Sequence, residues 1–590
     1  MILLVGVNAK YIHSNLGVYC IKSYAEKRGI TDAELCMAEY TINQSVEYVM
    51  ADIYEKQPDM IAFSCYIWNI EFITVLSREL HKVLPDVHIW YGGPEVSFDA
   101  FEQLERYSWL KGIMMGEGEE TFYEITKLYI DGRENELAKV HGIAFRDGEN
   151  IIKNCNRQNM SLDDVVFPYY NNNIDRLKNR IVYYETSRGC PYGCSYCLSS
   201  VEKTVRFRSM KLVEKELQFF IDAKVPQVKF VDRTFNCDHE HTMAIWKYIY
   251  EHDNGITNFH FELSADLLTD EEIEYVSRFR PGLVQFEIGV QTANPQTLRA
   301  IHRNPDLTVL REKVAKIHKN HNIHQHLDLI AGLPYEDYAS FRDSFNTVYS
   351  MEPDQLQLGF LKVLKGSPMY ESRDIYEIVY MDMPPYEVMF TKWLSYDDVL
   401  HLKRVEDMVE RYYNSMQFQA SIRYCVDKFE TPFDFYEAIG EFYHDNGYFG
   451  VNQSRIQNYS ILLEFVKKRL DIFNEQDIEI IIQMLVFDLY ARENLKKRPD
   501  FAKIDNVKNK DRLYEFYKSE ADSPDYLTKY NGYDWKQLLR MTHVEQFDYD
   551  ILNFVLGGEL IKKECMVLFD YKERNPLNNQ AEMVNIDIHI

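Results

Sequence analysis

Three cysteines lie within eight residues of this chain, in the segment "RGCPYGCSYC" over residues 188–197. Cys190, Cys194 and Cys197 form a C-x3-C-x2-C pattern directly after the strand-like run "IVYYETS". Thiolates at this spacing, in a loop loosened by two glycines, can converge on one face of an iron–sulfur cluster. Three ligands leave one iron without a protein ligand, which is what a catalytic cluster needs to bind a substrate or cofactor directly.

A structural zinc site is the alternative use of these thiolates. A closed zinc site needs four ligands in tetrahedral geometry, and no neighbouring Cys or His supplies a convincing fourth. Cys237 is the candidate that would complete such a site from elsewhere in the chain. A chance grouping of three cysteines is the remaining alternative.

Strand-like runs alternate with helical patterns around the cysteines, from residue 181 to about 375. Six strands with intervening helices predict a parallel barrel or partial (β/α)6 barrel, in which chemistry takes place at the carboxyl ends of the strands. The predicted strands are "IVYYETS", "QVKFVD", "FHFELSA", "LVQFEIGV", "HQHLDLIAG" and "QLQLGFLKVL".

The first 135 residues also alternate strands and helices, beginning with the buried run "MILLVGV". This pattern predicts an α/β, Rossmann-like doubly wound sheet that binds a ligand at the carboxyl ends of its strands. The residues expected at that edge lie in 64–69, 92–95 and 116–119. No G-x-G-x-x-G follows the first strand, which argues against a nicotinamide cofactor.

Two further regions complete the predicted organisation. Residues 136–180 are interpreted as a linker that contains a hairpin turning at Asp147-Gly148. Residues 376–590 carry long helical patterns and end in two strand-like runs, so a mainly helical accessory domain with terminal strands is expected.

Composition limits the possible environments and partners. Apolar residues make up 46% of the 590 residues, and the formal net charge is −26, which disfavours broad contact with a nucleic-acid backbone. The chain starts without an export leader and has no apolar run long enough to span a bilayer, so no membrane association is expected. Ten cysteines without an export signal predict the reducing cytoplasm.

The cysteine loop resembles the signature of the radical S-adenosylmethionine (SAM) superfamily, including Tyr196 before the third cysteine. The resemblance implies a [4Fe-4S] cluster whose unique iron binds SAM and cleaves it reductively to a deoxyadenosyl radical. Polar residues beside the later strand ends are similar to the SAM site of the branch that contains oxygen-independent coproporphyrinogen oxidase.

That second resemblance implies a role for each polar residue. Glu262 and Asp328 would bind the ribose hydroxyls, Gln291 would support the same region, and Arg303 would pair with the methionyl carboxylate. Thr234 follows the second strand, where related enzymes hold the SAM amine. The segment lacks the Gly-Gly-Glu of those enzymes, so Asp232 and Thr234 both remain candidates for that position.

Placed before such a core, the first domain resembles the cobalamin-binding domain of cobalamin-dependent radical SAM enzymes. The matching segments are "AFSCYIWN", "YGGPEVSF" and "MGEGEETF". His88 does not fit the D-x-H-x-x-G pattern of a cobalt ligand and is interpreted as structural. The residues expected to contact cobalamin are Ser64, Tyr66, Gly92, Gly93, Pro94, Glu95, Gly116 and Glu117.

The family resemblance implies methylation of an unactivated carbon in a small-molecule or peptide substrate, with electrons from a flavodoxin or ferredoxin. A radical SAM cyclase or oxidase acting on a tetrapyrrole-like substrate is the first alternative. A non-catalytic iron–sulfur or cobalamin-binding protein is the second. No residue beyond the cluster is assigned to catalysis.

Overall fold

A computed structural model describes residues 1–170, 173–502 and 510–587 of the chain. Three pieces of the predicted organisation therefore lie outside the described residues: positions 171–172 of the linker, residues 503–509 of the accessory domain, and the last three residues of the terminal strand-like run. Within the described ranges, no helix has both the length and the apolar composition that crossing a bilayer requires.

The first domain is a doubly wound sheet with helices on both faces. Five parallel strands are followed by an antiparallel hairpin, in the order β2-β1-β3-β4-β5-β6-β7. Every residue of β1 is buried, as expected for a strand covered on both faces. The strands are β1 Ile2–Asn8, β2 Leu35–Thr41, β3 Met60–Ser64, β4 His88–Gly92, β5 Leu110–Met114, β6 Ile143–Asp147 and β7 Asn150–Lys153. The helices are α1 Leu16–Lys27, α2 Val46–Glu55, α3 Ile70–Val83, α4 Ala100–Arg106 and α5 Gly118–Ile130.

The hairpin of the linker pairs with this sheet. β6 lies antiparallel to β5, with Gly112 opposite Phe145, so the first sheet extends beyond residue 135 to Lys153. His88 begins β4, at the end of the strand opposite the predicted ligand edge, and its Nδ1 lies 2.8 Å from the Tyr129 hydroxyl.

The second domain contains six parallel strands in the order β15-β14-β13-β12-β11-β8, which confirms the predicted partial barrel. A short antiparallel pair, β9 with β10, flanks the cysteine loop. The strands are β8 Val182–Tyr184, β9 Ser187–Arg188, β10 Arg206–Phe207, β11 Gln227–Phe230, β12 Asn258–Leu263, β13 Val284–Gln291, β14 His324–Ala331 and β15 Gln355–Phe360. The helices are α6 Met210–Asp222, α7 His239–Glu251, α8 Asp270–Val276, α9 Pro295–Ala300, α10 Leu307–His318 and α11 Tyr338–Tyr349.

The third domain is mainly helical and ends in an antiparallel sheet of order β18-β19-β20. Its first part holds a small hairpin of β16 and β17. The helices are α12 Pro368–Ser372, α13 Tyr396–Met408 with a π-helical turn over Val409–Asn414, α14 Gln419–Val426, α15 Pro432–Asp445, α16 Arg455–Lys468, α17 Glu475–Arg492, α18 Lys510–Asp522, α19 Trp535–Met541 and α20 Ile551–Val555. The strands are β16 Val379–Tyr380, β17 Val388–Phe390, β18 Thr542–Phe547, β19 Cys565–Asp570 and β20 Glu582–Ile586.

One apolar core is continuous across the three domains. It runs from one face of the first sheet through the barrel into the helices of the third domain. Inside the first sheet, Trp90 of β4 is fully buried and its ring covers Gly112 of β5. A Cβ atom on Gly112 would lie 2.3 Å from that ring, so only glycine allows the two strands to pair here.

We therefore expect Gly112→Ala to destabilise the first domain by about 1–3 kcal/mol through overpacking against Trp90. The measurement is the midpoint of urea unfolding of the full chain. Gly359→Ala is the matched control, because a Cβ there would meet its nearest neighbour at an ordinary 3.4 Å. Equal midpoints for Gly112→Ala and the wild type would contradict this packing.

Candidate functional site

The cysteine loop is fixed at its base by a buried carboxylate. Asp232, directly after β11, accepts hydrogen bonds from the Thr186 amide at 3.0 Å and from the Thr186 and Ser187 hydroxyls, both at 2.6 Å. Burial raises the pKa of Asp232 to about 6, and these three donors oppose the rise. With both oxygens engaged, Asp232 anchors the loop, and Thr234 becomes the better candidate for contact with SAM.

The loop then turns tightly at Gly189. Its φ of +97° and the 2.3 Å that would separate a Cβ from the Thr204 carbonyl oxygen both require glycine. The Cys190 amide donates to the Glu202 carbonyl at 3.0 Å, which fixes the first cysteine against the returning strand. The Ser195 amide donates to the Ile301 carbonyl at 3.0 Å and holds the second half of the loop.

The three cysteine sulfurs do not meet in a compact single-ion site. Across the described ranges, the only group of three or more Cys, His, Asp or Glu side chains with all ligand atoms within 4.8 Å is Glu287, His326 and Asp328. Sulfurs around a tetrahedral zinc would lie about 3.8 Å apart, given Zn–S bonds of about 2.3 Å. Among the cysteine sulfurs, with or without Cys237, at least one pair in any group of three therefore lies more than 4.8 Å apart, whereas the thiolates of a cluster each bind a different iron. The donor set therefore fits a [4Fe-4S] cluster.

Two predicted SAM residues lie beside the cysteines. The Cys190 Sγ is 3.6 Å from the Thr234 hydroxyl, and Arg303 Nη1 is 3.8 Å from the Cys194 Sγ. Arg303 also donates to the Gly289 carbonyl, whereas its buried Nε has no hydrogen-bond partner. An unsatisfied buried guanidinium donor is costly without a ligand, so this atom fits a carboxylate such as that of SAM.

Tyr196 and Gln291 belong to the same region. Tyr196 is packed against the barrel core, and burial raises the pKa of its hydroxyl. Gln291 ends β13 with a φ of +73°, and its amide covers Gly289 so closely that a Cβ there would lie 2.2 Å from Nε2. Gly289 is thus a residue of the site that the sequence did not single out.

Glu262 and Asp328 face the interior of the barrel. Glu262 Oε1 is 3.8 Å from Lys229 Nζ, and burial, followed by the charge of Glu287, raises the pKa of Glu262 to about 7. Asp328 Oδ1 is buried and lies 3.0 Å from His326 Nε2, but the two atoms are not aligned as a hydrogen bond. Both carboxylates therefore retain acceptor capacity for a ligand.

Four further polar residues in this interior were missed. Lys229 donates to Glu287 Oε2 at 2.8 Å, and His260 Nε2 lies 3.0 Å from the same oxygen. Glu287 is paired in register with both Glu262 and His326 on the neighbouring strands. The alternation of polar and apolar residues in "HQHLDLIA" and "VQFEIGVQ" was the signal that could have found His326 and Glu287.

The predicted cobalamin residues follow β3, β4 and β5 at their carboxyl ends. Gly93 has a φ of +111°, and a Cβ there would lie 2.4 Å from the Cys65 carbonyl oxygen. Gly116 has a φ of +75° and open space where its Cβ would be. This bare backbone at a strand-end edge fits a large planar ligand. The same edge also holds the other predicted members, Ser64, Tyr66, Gly92 and Pro94. The Tyr66 ring is stacked on that of Trp68, with 4.3 Å between the ring centroids.

Two acidic residues of this edge are already engaged by the rest of the protein. Glu117 Oε1 accepts from Arg188 at 3.0 Å and from Arg206 at 2.7 Å, and its Oε2 accepts from the Met160 amide at 2.9 Å. Glu95 accepts a hydrogen bond from the Tyr386 hydroxyl. The side chains of Glu117 and Glu95 thus join the ligand edge of the first domain to the second and third domains.

Comparisons with known proteins agree with this arrangement. The B12 binding domain family matches residues 2–126, the radical SAM superfamily matches residues 184–348, and a family of unknown function, DUF4080, matches residues 374–569. The first two matches identify cobalamin, a [4Fe-4S] cluster and SAM as the cofactors.

Two curated relatives carry different activities. One is the cobalamin-dependent radical SAM methyltransferase TokK of Streptomyces tokunonensis, 25% identical over 411 residues that cover 64% of this chain and 59% of that protein. The other is an anaerobic magnesium-protoporphyrin IX monomethyl ester cyclase of Cereibacter sphaeroides, 24% identical over 373 residues that cover 60% of this chain and 59% of that protein. The match thus spans less than two thirds of either relative.

Two solved structures share the fold. The cobalamin-dependent SAM radical enzyme OxsB with aqua-cobalamin bound has a TM-score of 0.58 at 16% identity, over 82% of this chain and 80% of that chain. The radical SAM methyltransferase TsrM of Kitasatospora setae, with cobalamin and a [4Fe-4S] cluster bound, has a TM-score of 0.52 at 13% identity, over 65% of this chain and 78% of that chain.

The sulfur spacing generates a direct test of the cluster ligands. We expect Cys190→Ala, Cys194→Ala and Cys197→Ala each to lose most of the iron that the wild type takes up on anaerobic reconstitution, about four atoms per chain. Cys237→Ser is the control and should retain full iron, because its thiol is not a ligand. Loss of metal in Cys237→Ser, or zinc in place of iron in the wild type purified without oxygen, would support the zinc alternative instead.

Proposed function

We propose that this chain, which belongs to the family of cobalamin-dependent radical SAM enzymes, methylates an unactivated carbon in a small-molecule or peptide substrate. When bound, the cluster would supply the electron that cleaves SAM to methionine and a deoxyadenosyl radical, and the cobalamin would supply the methyl group, which a second SAM replaces. The observation that carries the proposal is the meeting of the two ligand edges, where Arg188, two residues before Cys190, binds Glu117 and Glu119 of the first domain at 3.0 and 2.6 Å.

Different residues of the barrel bind different parts of SAM. The three cysteines hold the cluster and leave one iron for the amino and carboxylate groups of SAM. Arg303 pairs with that carboxylate through its free Nε, and Thr234 contacts the amine. The ribose hydroxyls donate to the carboxylates of Glu262 and Asp328, while Gln291 and Tyr196 complete the surface around the nucleoside.

The cobalamin edge presents backbone rather than charged side chains to its ligand. Gly92, Gly93, Pro94 and Gly116 allow close approach of the ring, and Ser64 and Tyr66 are available for its polar periphery. His88 is turned to Tyr129 at the opposite end of β4 and supplies no ligand to cobalt.

A radical SAM cyclase or oxidase reaction is the second candidate. Its support is the similarity to the magnesium-protoporphyrin ester cyclase, which extends over nearly as much of this chain as the similarity to the methyltransferase. Both reactions require a low-potential one-electron donor, and we propose a flavodoxin or ferredoxin for that role.

The two reactions and a non-catalytic protein are separated by one experiment on the full chain. The chain is reconstituted without oxygen with iron, sulfide and hydroxocobalamin, and then given SAM and a reductant. Methyl transfer predicts retained cobalamin together with both deoxyadenosine and S-adenosylhomocysteine. Deoxyadenosine without S-adenosylhomocysteine would favour the cyclase or oxidase, and the absence of both products would leave a binding protein.

The raised pKa of Glu262 generates a prediction on pH. A ribose hydroxyl donates to the ionised carboxylate, so SAM binds the deprotonated form, and its affinity rises as the pH rises through about 7. We expect the dissociation constant of SAM, measured by equilibrium dialysis without a reductant, to fall up to about tenfold between pH 6 and pH 8.

Glu262→Gln provides the control for this pH dependence. The variant should bind SAM more weakly than the wild type at pH 8 and show a flat profile over the same range, because its amide does not ionise. A flat profile in the wild type would mean that Glu262 does not contact the ligand.

A further inference from the structure

One short segment of the third domain contacts the ligand edges of both cofactor domains. We define it as the bridging segment, residues 386–388, at the start of β17. Its Tyr386 hydroxyl donates to the carboxylate of Glu95, which lies three residues beyond the end of β4. Its Val388 side chain packs on Gly332, which directly follows β14, so closely that a Cβ on Gly332 would lie 2.7 Å from Val388 Cγ1.

The bridging segment is continuous with the edge of the barrel. The Val388 amide donates to the Leu361 carbonyl at 2.9 Å, and the Val363 amide donates to the Tyr386 carbonyl at 3.0 Å. Leu361 in turn donates its amide to the Ala331 carbonyl at the end of β14, at 2.9 Å. These bonds form an antiparallel bridge, with Lys362 opposite Glu387, that attaches the bridging segment to the backbone directly after β15.

Neighbouring residues reinforce the same contact with the first domain. Lys365 forms an ion pair with Asp99, and Phe98 covers Gly366 so closely that a Cβ there would lie 2.3 Å from the ring. The loop over 93–99, which follows β4, is thus bound by the segment after β15 as well as by Tyr386. Both contacts lie on the side where the strands of the first sheet end.

The backbone of Tyr386 is strained. Its φ of +58° is in the left-handed region, which a bulky residue rarely adopts. Such a conformation persists only where the surroundings hold it, and it occurs most often at functional positions. Here the surroundings are the Leu361–Val363 backbone and the carboxylate of Glu95.

We propose that Tyr386 is a positioning residue: its hydrogen bond to Glu95 fixes the bridging segment as a wall of the cleft between the cobalamin edge and the SAM edge. The proposal rests on the proposed function and adds a role for the matched domain of unknown function. The wall holds the loop over 93–99 against the barrel, so that cobalamin enters a cleft of fixed width. Glu95 then acts through Tyr386, without contacting the corrinoid.

The test measures binding of hydroxocobalamin to the full chain by absorbance titration, with Tyr386→Phe, Glu95→Gln and the double variant. We expect each single variant to weaken binding about fivefold, and the double variant to be no weaker than either single variant, since all three remove the same bond. Hydrogen–deuterium exchange of the chain without cobalamin should be faster over residues 386–388 in all three variants.

Tyr448→Phe is the matched control. Tyr448, in the loop after α15, donates to Glu464 of α16 at 2.9 Å, so this variant removes a bond of the same chemistry away from the cleft. Its hydroxocobalamin affinity and its exchange over 386–388 should equal those of the wild type.

If the wild type binds hydroxocobalamin, three outcomes would overturn the positioning role and leave the proposed function standing. They are wild-type affinity in Tyr386→Phe, an effect of Glu95→Gln without an effect of Tyr386→Phe, and additive losses in the double variant. The second and third would mean that Glu95 contacts the corrinoid itself. A wild type that does not bind hydroxocobalamin overturns the proposed function, and the positioning role fails with it.

Discussion

The guanidinium of Arg188 is the interaction on which the arrangement of the two cofactor domains depends. It binds Glu185 of its own domain and Glu117 and Glu119 of the first domain, within 2.6–3.0 Å of each carboxylate. All four side chains are mostly buried, so removal of the cation would leave Glu119 and Glu185 without this compensation, a large penalty in a poorly solvated site, and would leave Glu117 with Arg206 alone. Because Cys190 follows two residues later, the same contact holds the start of the cysteine loop beside the carboxyl edge of the first sheet.

The interior of the barrel also contains buried charged side chains that lie beside groups of opposite charge. Lys229 compensates Glu287 directly and approaches Glu262, while His326 stands beside Asp328. Burial raises the pKa of Glu262 and of Asp328, and it also strengthens the attraction between each ionised carboxylate and a cationic ligand. A sulfonium compound with ribose hydroxyls offers both the charge and the donors that these acceptors lack.

The sequence predicted those parts of the site that depend on local pattern. The cysteine spacing predicted the cluster ligands and the six strand-like runs located the partial barrel, since both signals lie within short segments. β2 was missed because it is only partly buried and has no continuous apolar run. The hairpin of the linker was recognised, but its pairing with β5 depends on a neighbour that local pattern does not reveal.

The hydrogen bonds and ion pairs between the domains could not be predicted from the sequence. Glu117 and Arg188 are 71 residues apart, and Glu95 and Tyr386 are 291 residues apart, so no periodicity or motif links them. Strand-end position correctly marked Glu95 and Glu117 as edge residues. Their partners are fixed by how the domains pack, and this packing directs both side chains to protein instead of leaving them free for a ligand.

The helical domain supplies the rigidity that a wall of the cleft requires. Glu387 of the bridging segment forms an ion pair with Lys403 of α13, whose ammonium also lies 5.1 Å from the Phe360 ring centroid at the end of β15. α13 begins with a capping box at Ser395 and packs in the apolar core shared with α15. A segment that contacts the ligand edges of two domains would be poorly ordered if it contacted only loops. Its attachment to a capped helix in a continuous core holds it in place.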